Sequence, residues 1–405
     1  MAYAPQCFQF EDTAIRFVEE RDIDAVAQLF RLNYGDAYPY SDVYNGIWVK
    51  RAIYSDNILC VVVEEDGGVV GTGAVLLDCG DYDDQLGELA RLVVHPEHNR
   101  HGIGHRIINA LFATAQDHVE FAFAEARTAH LFSQKTIELT DFAAIGFYPR
   151  RHILDGRCEN LVLYGKLHGH AHVLRSENCP QLIPAVAELA GLVLASMGLP
   201  SEVDLVDGKP YPTENLLSLS AMDRDANEDL ERLQRRWVHE RIAKGHQLEK
   251  RMLFGPVSLS QGLPFTKRHG ASYLMSLDDR AAANGAIGFL HNQVSQIIRG
   301  IELLGQNENV RGGLCAALAR IAAELRARIV EVDVSAYDAR LQATFYELGF
   351  RPIAYAPAMV FDEWERLDVV KMIKLNVPYE PGEMKLTERS KAMVSLVETG
   401  FIRRV

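Results

Sequence analysis

The sequence of 405 residues predicts a mixed fold of the α+β type, a tandem of mixed α/β units, each with a central sheet flanked by helices. Three observations predict it. Short runs rich in β-branched and apolar residues alternate with helical apolar patterns through the first half. A glycine loop, His101-Gly102-Ile103-Gly104, joins a strand that ends at His95-Pro96 to an amphipathic helix. The second half repeats the order of the first in a looser form.

The elements follow in order. Ala14–Val18 reads as a strand, and Asp22–Leu32 as a helix with Ile23, Val26, Leu29 and Phe30 on one face. Ser41 can cap a second helix running through Trp48 and Ile53. Ile58–Val63 and Val69–Leu77 read as strands joined by Glu65-Asp66-Gly67-Gly68, a hairpin signal. The strand before the glycine loop comes next, then a helix with Ile103, Ile107, Leu111 and Ala115 on one face. Phe121–Ala126 reads as a strand, Ser133–Phe142 as a helix ending in Gly146-Phe147, and Asn160–Tyr164 as the closing strand.

The glycine loop is the most informative stretch. Two glycines let the backbone approach a ligand closely. The loop opens a helix, so unpaired N–H groups and the positive end of the helix dipole converge on one spot, which suits a pyrophosphate. A dinucleotide site would place its glycines directly after the first strand, with an acidic residue about 20 residues later. Here the strand is fourth in order, and Pro96 and a polar stretch intervene. The run Asn99-Arg100-His101-Gly102-Ile103-Gly104 resembles motif A of the GNAT superfamily of acyl-CoA-dependent N-acyltransferases, Q/R-x-x-G-x-G/A after a strand ending in V-x-P. Asn99 departs from the usual Gln or Arg. With the order of elements and the Gly-Phe dipeptide, the resemblance covers Ala14 to Leu167.

The resemblance implies acetyl-CoA or another acyl-CoA as co-substrate, held by Asn99, Arg100, His101, Gly102, Ile103, Gly104 and His105. It further implies that backbone N–H groups near Val93 and Val94 hold the thioester carbonyl and the pantetheine arm. Ser133 starts a helix near where the family contacts that arm, and serves equally well as an N-cap. The implied reaction is direct attack, in a ternary complex, by the amine of a small molecule or amino acid. The alternatives are a CoA-binding regulatory or interaction protein with little turnover, and transfer of an acyl group other than acetyl.

Such a transfer needs a neutral amine, and an alkyl ammonium titrates near ~10, so a base must take its proton. Glu88 stands eleven residues before Asn99, where glutamates that act as base in the family often stand. The alternative is a strand-end glutamate, solvated or paired with Arg91. Many family members carry a Tyr four residues before the Gly of the Gly-Phe dipeptide; here that residue is Phe142, with Phe345 in the matching place of the second half. Phenylalanine has no proton to give. Tyr148, just after the first dipeptide, is the replacement donor to consider, beside solvent. Tyr38, Tyr40 and Tyr44 fall in the segment that lines the acceptor side of the family.

In the second half, Ala271–Leu277 and Ala286–Leu290 read as strands around a polar turn at Asn284-Gly285, and Ser295–Leu304 as the next strand. Val310-Arg311-Gly312-Gly313 opens a helix with Leu318, Ile321 and Leu325 on one face. Ile329–Val334 is a strand, Leu341–Leu348 a helix ending in Gly349-Phe350, and Lys371–Leu375 closes the sheet. This order reads as a second, degenerate GNAT-like unit, with Arg299 where the first unit has Glu88. The bland alternative is an unrelated α/β domain. The resulting division is 1–167 for the first unit, 168–180 for a linker, 181–380 for the second unit and 381–405 for a helical tail. At the start of the second unit, helices are expected at Leu182–Met197 and Asn227–Met252, leading into its sheet.

Composition sets outer limits. A net charge of −13 argues against nucleic acid or an anionic membrane as the main partner. It suits an amine acceptor, although solubility alone also explains it. The Asp78, Asp81, Asp83 and Asp84 cluster has the same two explanations. The six cysteines are scattered without a C-x-x-C pair and read as free thiols of a cytoplasmic protein. His168, His170 and His172 alternate, but on a strand the outer two would stand roughly 13 Å apart. At most two neighbours then ligate together, so no metal is expected and the stretch reads as an exposed linker. The expected state is a monomer with an internal pseudo-dimer, or a homodimer.

Overall fold

A computed structural model describes residues 8–10, 13–38, 40–77, 84–99, 101–154, 156–214, 217–221, 271–362 and 364–402. The chain divides into two compact units: Met1–Val173 with Gly382–Ala392, and Leu174–Pro381 with Met393–Val405. The sequence reading put everything after 380 in a tail; residues 382–392 instead belong with the first unit.

In the first unit the elements are β1 (Phe8–Phe10), β2 (Thr13–Phe17), α1 (Ile23–Tyr34), α2 (Ile47–Tyr54), β3 (Ile58–Glu65), β4 (Gly68–Leu76) and β5 (Leu86–Val94). Then follow α3 (Ile103–Ala115), β6 (Phe121–Arg127), α4 (Phe132–Glu138), β7 (Ala143–Leu154) and β8 (Arg157–Leu167). The strands lie in the order β1-β2-β3-β4-β5-β6-β8-β7. Neighbours are antiparallel except β5 and β6, which run parallel because α3 crosses between them. The β3–β4 hairpin turns on Asp66 and Gly67, both at positive φ, as the sequence signalled.

Helices cover both faces. On one, α3 lies close because β4 offers no side chain there: a Cβ on Gly73 would stand 2.6 Å from Ile107. On the other, α1 and α2 bury Val26, Leu29, Phe30, Trp48 and Val49 against Cys60, Val62 and Ala74 of the sheet. Two local expectations are corrected. Ser41 starts a short 3-10 turn, and α2 begins after Gly46, whose φ of 75° breaks the helix between them. The Gly146-Phe147 dipeptide lies inside β7, because α4 ends at Glu138.

In the second unit, β9 (Gln181–Leu182), α6 (Pro184–Ser196), β10 (Asp204–Leu205) and β11 (Ser218–Ala221) precede β12 (Ser272–Leu277), β13 (Ala283–Asn292) and β14 (Ile297–Gly305). After them come α7 (Glu308–Glu324), β15 (Ile329–Ser335), α8 (Ala339–Glu347), β16 (Arg351–Asp362) and β17 (Glu365–Leu375). Its strands lie in the order β11-β12-β13-β14-β15-β17-β16. From β12 on, element order and strand order repeat those of β3 to β8, including one parallel pair, β14–β15.

Three expectations change here. Asn284 and Gly285 lie within β13, and the turn is made by residues 278–282, where Asp278 Oδ1 accepts from the N–H groups of Arg280 and Ala282. Gly312 and Gly313 lie inside α7, which starts at Glu308 with Asn307 as its cap, accepting from Val310 N at 3.0 Å. In the stretch read as an exposed linker, His170 and Val173 are exposed, but Ala171–Leu174 forms a helical turn, α5, and His168 stacks on Phe112 with ring centroids 5.0 Å apart. The helix expected at Asn227–Met252 lies outside the described residues. No helix among the described residues is long and apolar enough to cross a membrane.

Candidate active site

The site is created by a flaw in β5. Thr72 of β4 pairs with Val93, but Ala74 pairs with Ala90, so β5 carries an extra residue around Arg91, whose φ is 54°. The pairing of β5 with β6 runs only from Leu86 opposite Phe121 to Leu89 opposite Ala124. Beyond Leu89 the strands part. Residues 90–94 therefore have no β6 partner on that edge, and Val93 and Val94 stand along the opening. Asn33 Nδ2 of α1 donates to Val94 O at 3.1 Å, which ties the helix layer to this edge.

The glycine loop stands after the open end of β5. Gly102 has φ 75° and is the N-cap of α3, with no side-chain cap on the helix's first N–H groups. A Cβ at Gly102 would meet nothing within 4 Å. Gly104 is buried, and a Cβ there would come within 3.0 Å of Thr136 of α4. His101 is exposed, and its carbonyl accepts from Arg106 at 3.2 Å. His105 Nε2 contacts Asn109 Nδ2 at 3.3 Å, and Asn99 ends the 3-10 turn Pro96–His98. Ile103 is buried under the helix. Ser133 is not a cap, since α4 already starts at Phe132; its Oγ is buried without a hydrogen-bond partner. Arg100, Asp78, Asp81 and Asp83 lie outside the described residues.

Glu88 sits where β5 and β6 begin to part, half-buried, in register with Leu76 and Phe123. Register places it on the sheet face that α1 and α2 cover, together with Glu125 and Arg127 of β6. Tyr38 and Tyr40 come from the segment after α1. Burial raises the Tyr40 phenol, and the charges of Glu125, Arg151, Glu88 and Arg91 act on it from around. Burial also raises Tyr38 strongly, with Arg91 and Glu88 among the charges it senses. Arg127 pairs with Glu159 and lies 5.6 Å from the Tyr34 ring. Glu125 is shared by Arg151 and His152, each at 3.3 Å.

Tyr148 was considered as a replacement proton donor. It is 1% exposed, stacked beneath Arg151, and three strands from Glu88, roughly 14 Å across the sheet. Phe142 is buried against Phe112. Sequence reasoning found Glu88 and the tyrosines, but missed Tyr34, Trp48, Arg127, Glu125 and Arg151. Their sequence spacing carries no signal, because only the sheet register gathers them.

The second unit has the same flaw without the space. Gly288 pairs with Glu302 and Phe289 with Gly300, so β14 is bulged at Ile301, and β14–β15 pairing stops at Arg299 opposite Glu331. Gly285 faces Val310 and Leu314 as Gly71 faces Ile103 and Ile107, which aligns Val94 with Gly305 and Glu88 with Arg299. Gly102 then corresponds to Asn309 and not to Gly313. Arg299 is locked to the buried Glu331. The start of α7 is filled by the chain itself. Glu308 is paired with Arg340, Arg340 holds Lys209 O, and a Cβ on Gly312 would stand 2.0 Å from Pro212 O.

Residues 56–152 match the family model of the acetyltransferase (GNAT) domain. No curated protein matches the chain. Among solved structures, a GNAT-family acetyltransferase from Streptococcus pneumoniae is 19% identical over 39% of this chain and 99% of its own, with a TM-score of 0.34. The putative acetyltransferase yncA from Salmonella typhimurium, solved with acetyl-CoA, is 20% identical over 39% of this chain and 94% of its own, TM-score 0.34. Ribosomal-protein-S5-alanine acetyltransferase from Vibrio fischeri is 17% identical over 40% and 97%, TM-score 0.36.

Proposed function

Since residues 56–152 match the acetyltransferase (GNAT) domain model, we propose that the chain moves an acyl group, acetyl first of all, from acyl-CoA to the amine of a small molecule or amino acid by direct attack in a ternary complex. The observation that carries this reading is the parting of β5 from β6 at Leu89, with Glu88 where it begins and the uncapped start of α3 following its open end. A pantetheine arm fits along residues 90–94, whose β6-side backbone groups the sheet leaves unused. The uncapped N–H groups and the space before Gly102 suit the pyrophosphate.

Glu88, directly or through one water, takes the proton of the ammonium. The freed nitrogen attacks the thioester carbonyl carbon and gives its second proton to solvent, and the carbon–sulfur bond breaks. The electron pair leaves with sulfur, and solvent returns a proton to a thiolate whose conjugate acid has pKa near ~8.5. No buried tyrosine is needed for that step. The second unit is proposed as a GNAT-like domain without chemistry, since Arg299 replaces the base and is itself neutralised.

Glu88→Gln tests the assignment. It keeps the shape, removes the carboxylate and lowers kcat about a hundredfold, while KM for acetyl-CoA stays unchanged. The rising limb of the pH–rate profile disappears with it. Near-normal turnover with the same limb would place deprotonation elsewhere. The second reading, a CoA-binding protein with little turnover, draws on Phe142, which has no hydroxyl at the family's donor position. Thioester release across a panel of amines separates the two.

A further inference from the structure

The arginines on the sheet of the first unit are mostly spoken for. Arg16 holds Asp22 and Glu64, Arg127 holds Glu159, and Arg151 holds Glu125. Arg91 is held differently. Its guanidinium stands 3.7 Å from the Trp48 ring centroid and 5.0 Å from that of Tyr40. Among the described residues it has no carboxylate partner, and its Nε is buried without an acceptor. Two rings on a guanidinium fix its plane and strip part of its water, yet leave its in-plane N–H edges unused. The backbone reinforces the placement, since Arg91 takes φ 54° in the bulge that opens the site.

We infer that Arg91 receives an anionic group of the acceptor, a carboxylate, so that the acceptor is an amino acid and not a plain amine. This deepens the acyl-transfer reading and rests on it. The fork of N–H donors matches the two oxygens of a carboxylate. Glu88 lies three residues earlier on the same strand, and the phenols of Tyr38 and Tyr40 sense both charges. An α-amino acid carries its ammonium and carboxylate on one carbon. Glu88 then takes the first and Arg91 the second, which presents the amine where β5 and β6 part.

The test pairs tyrosine, tryptophan and lysine with tyramine, tryptamine and cadaverine, and reads thioester release from acetyl-CoA. The wild type is expected to show kcat/KM at least about tenfold higher for the carboxylated member of a pair. Arg91→Met should raise KM for that member by about tenfold or more relative to its plain-amine counterpart, with calorimetric CoA affinity little changed. Arg91→Lys, which keeps the charge but not the fork, should recover only part. Plain amines turned over by the wild type as well as the amino acids overturn the inference and leave acyl transfer standing. So does a preference that survives in Arg91→Met. Absence of turnover with every acceptor counts against the acyl-transfer reading itself, and the inference falls with it.

Discussion

His168 is kept as a neutral imidazole. It stacks on Phe112, its Nε2 is buried without a partner, and its backbone N–H donates to Glu120 O at 2.8 Å. Burial, with Lys166 adding to it, pushes its pKa down to about 4. In the unfolded chain the same ring titrates near ~6.5. Between those values the unfolded state binds a proton that the folded state refuses, so stability rises with pH across the window. The contribution is complete above about 6.5 and drains away as pH falls toward 4. We therefore expect the urea midpoint of the wild type to drop between pH 7 and pH 4.5 by more than that of His168→Phe. Parallel pH profiles in the two proteins would contradict the assignment. Sequence alone made this residue one of three alternating histidines in a linker. What that reading lacked was Phe112, more than fifty positions away, which turns a polar side chain into a packed one.

The helices α3 and α7 show how one pattern reaches two outcomes. Both follow a bulged strand and both cover a glycine of the neighbouring strand, Gly71 or Gly285. Before α3 a Cβ at Gly102 would meet nothing within 4 Å; before α7 the chain at Lys209–Pro212 fills the place. Gly312 is needed for that close approach, because a Cβ would stand 2.0 Å from Pro212 O. Alanine ordinarily favours a helix over glycine by ~1 kcal/mol, but overpacking against fixed backbone costs ~1–3 kcal/mol. Gly312→Ala is expected to lower Tm. Gly191→Ala in α6, where a Cβ meets nothing within 4 Å, should raise it, and thermal melts of the pair provide the check. Most elements of the first unit were legible because they kept their period and turn residues, as at Asp66-Gly67, but β7 was passed over as the end of a helix. In the second half Gly312-Gly313 imitated a loop, and the better signal was Asn307, a cap five positions earlier. β16 was passed over as well: it contains Pro352 and Pro357, which ordinarily interrupt a strand, and it accommodates its irregular stretch with a shifted register after Ala356 and positive φ at Ala358. The bulge at Arg91 was not legible either, since it is a property of the pairing between strands and not of one strand's composition.

At the scale of the whole molecule, a repeated architecture carries unequal sites. Each unit has the bulged strand, the parted parallel pair and the helix that follows. In the first unit residues returning from the far end of the chain brace this arrangement: Gln134 of α4 donates to Lys385 O at 2.7 Å and accepts from Thr387 N and Ser390 Oγ. Gln134 is wholly buried, so α4, which faces Gly104, is held by chain that no local sequence pattern announces. In the second unit the matching helix start is occupied by the chain, and Arg311 stands where the first unit has Gly104; it is buried, donates to Gly305 O at 3.2 Å and lies 5.9 Å from the Tyr211 ring. A pyrophosphate there would have to displace Arg340 from Glu308 and Lys209 O, and would meet the carboxylate of Glu308. In the first unit the N-cap of α3 is Gly102, which has no side chain to cap the helix, and a Cβ there would meet nothing within 4 Å. Calorimetric titration with CoA is therefore expected to give one site per chain. Gly102→Asp should remove that site, since it sets a carboxylate before the N–H groups of α3 at a backbone conformation with φ 75°, while the melting behaviour of the second unit stays as in the wild type. Two equivalent sites in the wild type, or a full site surviving in Gly102→Asp, would mean that the filled helix start of the second unit opens in solution and that the asymmetry drawn from its packing is wrong.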